Sequence, residues 1–189
     1  MLTKLRIRNF KCFEDHTVPF STGTTVVVGR NNAGKSTIVE ALRLIAIVSS
    51  RYQSLNYHDV PSWLDIPRIQ RGVAPDISNI EFNQEATFFQ YSDPPSILEG
   101  TYSNGASITV YLGADQSIHA VIKGLNDKPI RNRGEAQEQR IPRISIMPQI
   151  GPVSKSENRL SDDYVRRALS SPLSSSHFRN QLRVIKESF

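Results

Sequence analysis

Hydrophobic and polar residues alternate over several short stretches of the chain, and one longer stretch has the period of a helix. Residues Leu5–Phe10 and Thr17–Phe20 alternate, which predicts two short strands. The β-branched run Thr24–Val28 is typical of a buried parallel strand. From Gly34 to about Val48 the apolar residues share one helical face, so this segment predicts a helix. The first 48 residues therefore combine a β-hairpin, a further strand and a helix.

The interval 77–127 has a different pattern, with short β-like runs and turn residues between them. These runs are Ile80–Tyr91, Ile97–Ser103, Ser107–Leu112 and Ser117–Lys123. They predict an antiparallel meander set into an α/β chain. The preceding interval, 49–76, shows no sustained period and predicts a loop in which Trp63 is a packing anchor.

The last interval, 128–189, begins with a polar, Arg-rich stretch. Ile144–Met147 then predicts one more strand, and residues 161–171 and 174–187 predict two helical segments. We interpret the whole chain, 1–189, as one partial domain with these successive parts.

A complete phosphate-loop motif, G-x-x-x-x-G-K-[ST], joins the β-branched run to the helix. Its residues are Gly29, Arg30, Asn31, Asn32, Ala33, Gly34, Lys35, Ser36 and Thr37. The two glycines let backbone N–H groups point at one anion, and the helix N-terminus adds partial positive charge. Lys35 can then reach the β- and γ-phosphates, while the Ser36 hydroxyl can ligate Mg²⁺. The motif in this context predicts binding of a nucleoside triphosphate with Mg²⁺.

The net charge of +5 lies entirely in the last third of the chain. Residues 1–130 hold 12 Lys and Arg against 12 Asp and Glu, whereas residues 131–189 hold 11 against 6. A basic face can neutralise the phosphates of nucleic acid, so region 131–189 is a candidate DNA contact. An ordinary solvated surface and a contact to an acidic partner segment are the alternatives.

Composition limits the other classes of protein. Hydrophobic residues make up 38% of the chain, which can support a core. The sequence contains no run of 18 apolar residues and no signal-peptide pattern, so we expect no membrane partner. The single Cys12 cannot form an internal disulfide, which fits a reducing cytoplasm, and we interpret it as a small half-buried residue. The four His residues have no metal-ligand spacing.

Two stretches resemble the ABC-type ATPase heads of the SMC/RecF/OLD group. Leu5–Phe13 and Val27–Thr37 are similar to the start of such heads, and Asn-Asn-x-Gly-Lys-Ser is frequent in the OLD branch. The resemblance implies a P-loop NTPase fold with parallel core strands, an antiparallel β-subdomain and C-terminal helices. Ile146–Pro152 resembles the strand and Gln loop of these heads, which implies that Gln149 senses Mg²⁺ and the γ-phosphate.

The chain also lacks parts that such heads contain. Hydrolysis normally needs a strand of four apolar residues ending in Asp or Asp-Glu, and none follows Thr37. Leu169–Pro172 has the Leu-Ser start of a signature motif but not its glycines. We therefore assign no catalytic residue and expect an N-terminal half of a head. The resemblance implies a second ATPase head or the missing C-terminal half as partner, and a nuclease in the OLD branch.

Three function classes contain such a phosphate loop. The favoured one is the ATP-binding part of an ATPase that acts in DNA repair, DNA maintenance or defence against phage. The ATP-binding subunit of an ABC transporter usually carries Gly where Asn32 stands and has a shorter interval than that from Lys35 to Gln149. A small kinase or GTPase would need a base-specificity motif such as Asn-Lys-x-Asp, which is absent from the sequence.

Overall fold

The structure of the protein is a computed structural model with two units, Met1–Ile144 and Ser145–Phe189. It describes residues 1–77, 86–146, 157–161, 164–165, 179–180 and 182–183. In the second unit, the described residues 164–165, 179–180 and 182–183 are helical, and the Arg179 N–H donates to the Glu157 carboxylate at 3.0 Å. The first unit contains the phosphate loop. The interpretation of the chain as one partial domain stays a prediction.

Seven strands of the first unit form one sheet. They are β1 (Leu2–Phe10), β2 (Phe13–Pro19), β3 (Tyr57–His58), β4 (Gly72–Val73), β5 (Ser96–Tyr102), β6 (Ser107–Leu112) and β7 (Ile118–Lys123). Their order across the sheet is β2-β1-β5-β6-β7-β4-β3, and each of these neighbouring pairs is antiparallel. The helices are α1 (Lys35–Arg51) and α2 (Arg133–Glu138), with short 3₁₀ segments at Phe89–Tyr91, Ala114–Gln116 and Leu125–Asp127.

The long helix α1 packs on one face of this sheet because both surfaces are apolar there. In β1, Leu5 and Ile7 are fully buried, whereas Lys4, which precedes Leu5, is exposed. This pattern is that of a half-buried strand. Gly100 of β5 allows Ile45 of α1 to come close, since a Cβ at residue 100 would lie 3.1 Å from the Ile45 Cδ1. Apolar burial at this contact holds α1, and thereby the phosphate loop at its start, against the sheet.

A smaller cluster covers part of the opposite face. Leu64 packs there with Tyr111 and Val121, which lie on β6 and β7. The ring of Trp63 lies against the backbone of Gly113, where an added Cβ would be 3.0 Å from the indole Cε3. Because Trp63 is also 38% exposed, its role as a packing anchor stays a prediction.

Most short alternating segments form the predicted strands. The first two are β1 and β2, and the last three runs of the meander are β5, β6 and β7. The predicted helix is α1 and continues to Arg51. The interval 49–76 is less irregular than expected, because it contains the end of α1 and the short strands β3 and β4.

The prediction of a buried parallel strand at Thr24–Val28 is wrong for this structure. These residues pair with no strand among the described residues, and Val26 and Val28 are 74% and 83% exposed. A parallel strand becomes buried only when neighbours pair with its edges and helices cover its faces. All neighbouring strands in the described sheet are antiparallel, and residues 24–28 belong to none of these pairs.

Two other strand predictions are also wrong where the structure describes them. Within Ile80–Tyr91, residues 86–91 form turns and a 3₁₀ segment because the Phe89 N–H donates to the Asn9 side chain and not to a strand. Residues 144–146 are irregular, and the Ile144 N–H donates to the Ser49 hydroxyl at 3.5 Å. Residues 78–85, Met147 and most of the two predicted helical segments lie outside the described residues.

No helix in the part of the chain that the structure describes has the length and apolar character needed to cross a bilayer.

Burial of His119 in β7 predicts a pH dependence of stability. Its side chain is 2% exposed, its Nε2 lies 3.2 Å from the carbonyl oxygen of Gln70, and burial lowers its pKa. The unfolded chain therefore binds a proton before the folded chain does, so stability is complete above the ordinary pKa near 6.5 and falls as the pH decreases below it. The slope from this group is at most about 1.4 kcal/mol per pH unit.

The measurement is urea unfolding of the wild type and of His119→Gln between pH 7.5 and pH 5. The amide of Gln can donate to the same carbonyl but does not titrate, so we expect the variant to lose part of the pH dependence. The matched control is His16→Gln, whose ring is exposed on β2. Identical pH profiles for wild type and His119→Gln would contradict the prediction.

Candidate functional site: the phosphate loop

The phosphate loop turns twice through left-handed backbone before α1 begins. Asn32 has φ of 64° and Gly34 has φ of 86°. The Ala33 N–H donates to the carbonyl oxygen of Arg30 at 3.2 Å, which closes the turn. Gly34 is required at its position, because a left-handed φ is strained for residues that carry a Cβ.

Lys35 lies across this loop. Its Nζ donates to the carbonyl oxygens of Gly29 at 2.7 Å and Arg30 at 2.6 Å. An ammonium has three N–H donors, so one remains for a ligand, and the two others can exchange a carbonyl for a phosphate oxygen. The Lys35 side chain therefore already lies within the loop in which it is predicted to bind phosphate.

The start of α1 is open for an anion. Gly34 provides no side-chain cap, and the first turn of α1 contains no acidic residue. The first N–H groups of any helix have no partner within the helix. Together with the helix dipole, they attract negative charge. Residues 29–33 and Ser36 are exposed, so a ligand can reach these donors. The loop and helix start thus fit a phosphate group.

Ser36 and Thr37 point to different environments. Ser36 is exposed, whereas Thr37 is buried and its Oγ1 lies 3.6 Å from the sulfur of Cys12. Only the Ser36 hydroxyl is accessible at the loop surface, which agrees with its predicted role toward a metal bound to phosphate. Cys12 itself is exposed, and not half-buried as expected, because it lies in the turn between β1 and β2.

The turn between β1 and β2 supports the phosphate loop, which the sequence interpretation missed. A Cβ on Gly34 would meet the Phe13 ring at Cζ and lie 2.9 Å from the Cys12 sulfur. Next to this contact, Lys11 forms an ion pair with Glu40 of α1. The only sequence signal was the Phe13 that follows the first strand, since contacts between residues this far apart have no local pattern.

Asn9 connects the same turn to the loop before β5. Its Nδ2 donates to the carbonyl oxygens of Asp93 at 2.8 Å and Pro95 at 3.2 Å, and its Oδ1 accepts from the Phe89 N–H at 3.1 Å and the Ser92 hydroxyl at 2.5 Å. This one amide therefore holds the loop 89–95 against the end of β1.

Gln149, the predicted second metal ligand, lies outside the described residues. Within the residues that the structure does describe, no group of three or more His, Cys, Asp or Glu side chains can hold a metal ion. The loop positions 29–37 are thus brought together in space, and the assignment of Ser36 and Gln149 to one metal stays a prediction.

Substitution of Gly34 predicts a large and local loss of stability. A Cβ at this position is strained by φ of 86° and collides with the Phe13 ring. We expect Gly34→Ala to lower the free energy of unfolding by about 1–3 kcal/mol. The matched control is Gly23→Ala, since a Cβ there meets nothing within 4 Å. Urea unfolding checks both, and equal effects of the two substitutions would contradict the packing argument.

Comparison with known proteins relates this geometry to a family. The model of the AAA ATPase domain matches residues 1–141. An OLD nuclease of Thermus scotoductus is 27% identical over 127 residues, which are 67% of this chain and 21% of that protein. A DNA double-strand break repair Rad50 ATPase of Archaeoglobus fulgidus is 38% identical over 60 residues, which are 32% of this chain and 7% of that protein.

A DNA replication and repair protein RecF of Limosilactobacillus reuteri is 32% identical over 63 residues, 33% of this chain and 17% of that protein. The chain thus matches only a small part of the length of these relatives. A solved chain from the structural biochemistry of ATP-driven dimerization and DNA-stimulated activation of SMC ATPases has 17% identity and a TM-score of 0.42, covering 73% of this chain and 76% of that one.

The predicted resemblance to ATPase heads of the SMC/RecF/OLD group is confirmed by the family and the relatives. Membership of an ATPase family is consistent with the loop at residues 29–37, and the assignment of these residues to a nucleotide stays a prediction. With the family model matching residues 1–141, the chain belongs to the AAA ATPase domain family, as an α/β P-loop domain with an antiparallel sheet.

Proposed function

We propose that the chain binds ATP as its magnesium complex and forms the nucleotide-binding part of an ATPase acting in DNA repair, DNA maintenance or defence against phage. The observation that carries this proposal is the phosphate loop on the open N-terminus of α1, in a chain of the AAA ATPase domain family. The names of the RecF and Rad50 relatives support the link to DNA repair, and the OLD nuclease supports a link to nuclease systems.

Each residue of the loop has a separate role in this proposal. The backbone N–H groups of the loop other than that of Ala33, together with those of the first turn of α1, surround the phosphates, and Lys35 donates to the β- and γ-phosphate oxygens. Ser36 would hold Mg²⁺ together with phosphate oxygens, with Gln149 as a further ligand, and the bound ion neutralises phosphate charge. Thr37 contacts Cys12 in the turn between β1 and β2 and so supports the loop on its buried side.

The exposed run at Val26–Val28 supports a partner for this unit. Three consecutive valines are unusual on a free surface, and Val26 and Val28 are largely exposed without strand pairing among the described residues. We infer that a strand from elsewhere, in the same protein or another, pairs with this run. The complementary half of an ATPase head, a second head and a nuclease are the partners consistent with the relatives.

The first test is nucleotide affinity. Lys35→Ala removes two charge-assisted donors, each worth about 1.5–3 kcal/mol, so the dissociation constant for a non-hydrolysable ATP analogue with Mg²⁺ should rise by about a hundredfold or more. Isothermal titration calorimetry measures it. Lys4→Ala, on the face of the sheet away from α1, removes an equal charge and should leave binding unchanged. Equal affinities of wild type and Lys35→Ala would refute the site.

The second test is turnover. The loop can position the triphosphate, but we assign none of the described residues to orient the attacking water. Positioning and charge stabilisation account for most of the rate of phosphoryl transfer, so this incomplete set should be slow. We expect residues 1–189 alone to hydrolyse ATP at no more than the background rate. Robust hydrolysis by the purified chain, lost on Lys35→Ala so that contamination is excluded, would contradict this expectation.

A further inference from the structure

A cavity beside the C-terminal end of α1 is lined by none of the phosphate-loop residues. Its volume is about 240 Å³, and it is lined by Tyr52, Gln53, Arg140, Ile141 and Arg143. Tyr52 and Ile141 are buried, whereas both arginines are exposed. The cavity therefore has a partly apolar floor and a cationic rim.

The polar atoms at the floor are largely used within the protein. The Tyr52 hydroxyl donates to the carbonyl oxygen of Gln139 at 2.7 Å and accepts from the Ile141 N–H at 3.2 Å. The Gln53 Nε2 donates to the carbonyl oxygens of Gln139 at 3.1 Å and Ala136 at 3.2 Å. Because these groups are satisfied, the donors left for a ligand are chiefly the guanidinium N–H groups at the rim.

The two guanidinium groups have no ion-pair partner in the part of the chain that the structure describes, where no carboxylate oxygen is paired with Arg140 or Arg143. The nearby Glu135 is engaged at the start of α2, where its oxygens accept from the Asn132 side chain and the Arg131 N–H. Residues 128–143 hold five Lys and Arg against two Asp and Glu. Two positive charges around one cavity favour an anion between them.

We propose that this cavity binds a backbone phosphate of DNA, with Arg140 and Arg143 as its donors. A guanidinium presents a planar fork that matches phosphate oxygens, and the faces of Tyr52 and Ile141 suit the adjoining deoxyribose. The choice of DNA over an acidic protein segment rests on the proposed function in DNA repair or maintenance. It places the DNA contact expected of the basic region at a defined position in the first unit.

A structural role for these arginines is the competing explanation. The C-terminal end of a helix carries partial negative charge, which nearby cations stabilise. Two of the last four carbonyls of α1 already have donors, since the N–H groups of Tyr52 and Leu55 bond to the carbonyl oxygens of Val48 and Arg51 at 2.9 Å and 3.2 Å. The need for two more cations at this end is therefore small.

The experiment measures binding of a fluorescein-labelled 30-base-pair duplex by anisotropy, with the whole chain, at several salt concentrations. Arg140→Gln with Arg143→Gln should weaken binding by about tenfold or more and lower the slope of log K against log salt by about 0.9, the value for one phosphate. The matched control is Lys4→Gln with Arg68→Gln, two exposed cations outside the cavity lining. It removes the same charge and should change the affinity by less than threefold.

A second pair of variants separates charge from geometry. Arg140→Lys with Arg143→Lys keeps both charges but removes the planar forks, so it should retain the salt slope and lose severalfold in affinity. This pair also serves if the Gln variant is unstable. The inference is overturned if the wild type does not bind duplex DNA, if the Gln variant binds as the wild type does, or if the control weakens binding equally.

The remaining outcomes distinguish the partner and the site. Poly-glutamate and unlabelled duplex are compared as competitors at equal total charge. If poly-glutamate displaces the labelled duplex as effectively, the cavity is assigned to an acidic protein and the DNA proposal is overturned. A lower unfolding temperature of the Gln variant with unchanged DNA binding would assign the arginines to helix stability. The affinity for the ATP analogue, measured by calorimetry, should be the same in the Gln variant as in the wild type. A wild type that does not bind the analogue would refute the nucleotide function itself.

Discussion

The contact between Gly34 and the turn after β1 is the constraint on which the phosphate site depends. Gly34 has a left-handed backbone, and the Phe13 ring occupies the space where any side chain would begin. Backbone conformation and packing thus each require glycine, independently of the ligand. Because the Lys11–Glu40 ion pair adds a second link, the hairpin determines where α1 starts and in which direction its N–H groups point.

The two ends of α1 offer different chemistry because the helix is polar along its axis. At the start, the absence of a side-chain cap leaves N–H groups that attract an anion. At the other end the dipole disfavours anions, and a phosphate there needs cations that outweigh it. Arg140 and Arg143 supply two such charges from a segment distant in sequence. A nucleotide phosphate and a DNA phosphate would therefore lie at opposite ends of one helix, which spans about 25 Å at 1.5 Å per residue.

The sequence predicts those features of this unit that short segments determine. The phosphate loop follows from glycine spacing and the residue types around it, and β5, β6 and β7 follow from local alternation. Val26–Val28 differs, because strand composition predicts an extended backbone but pairing needs a neighbour. The support of Gly34 by Phe13 and the loop held by Asn9 are likewise invisible in one-dimensional patterns, since each depends on how the β1–β2 hairpin meets distant segments.

Exposure of the loop would let one arrangement bind a nucleotide and yet do little chemistry. Residues 29–33 face solvent, where a unit charge pair at 4 Å gains only about 1 kcal/mol, against roughly 4 kcal/mol at the effective dielectric near a protein surface. Lys35 also has to exchange its bonds to Gly29 and Arg30 for bonds to phosphate, so part of its interaction energy is offset. A second protein surface over this loop would exclude water and strengthen every one of these contacts at once. The same closure would bring the groups that orient the attacking water, so affinity and turnover should rise together when the exposed valine run and the open side of the loop are covered.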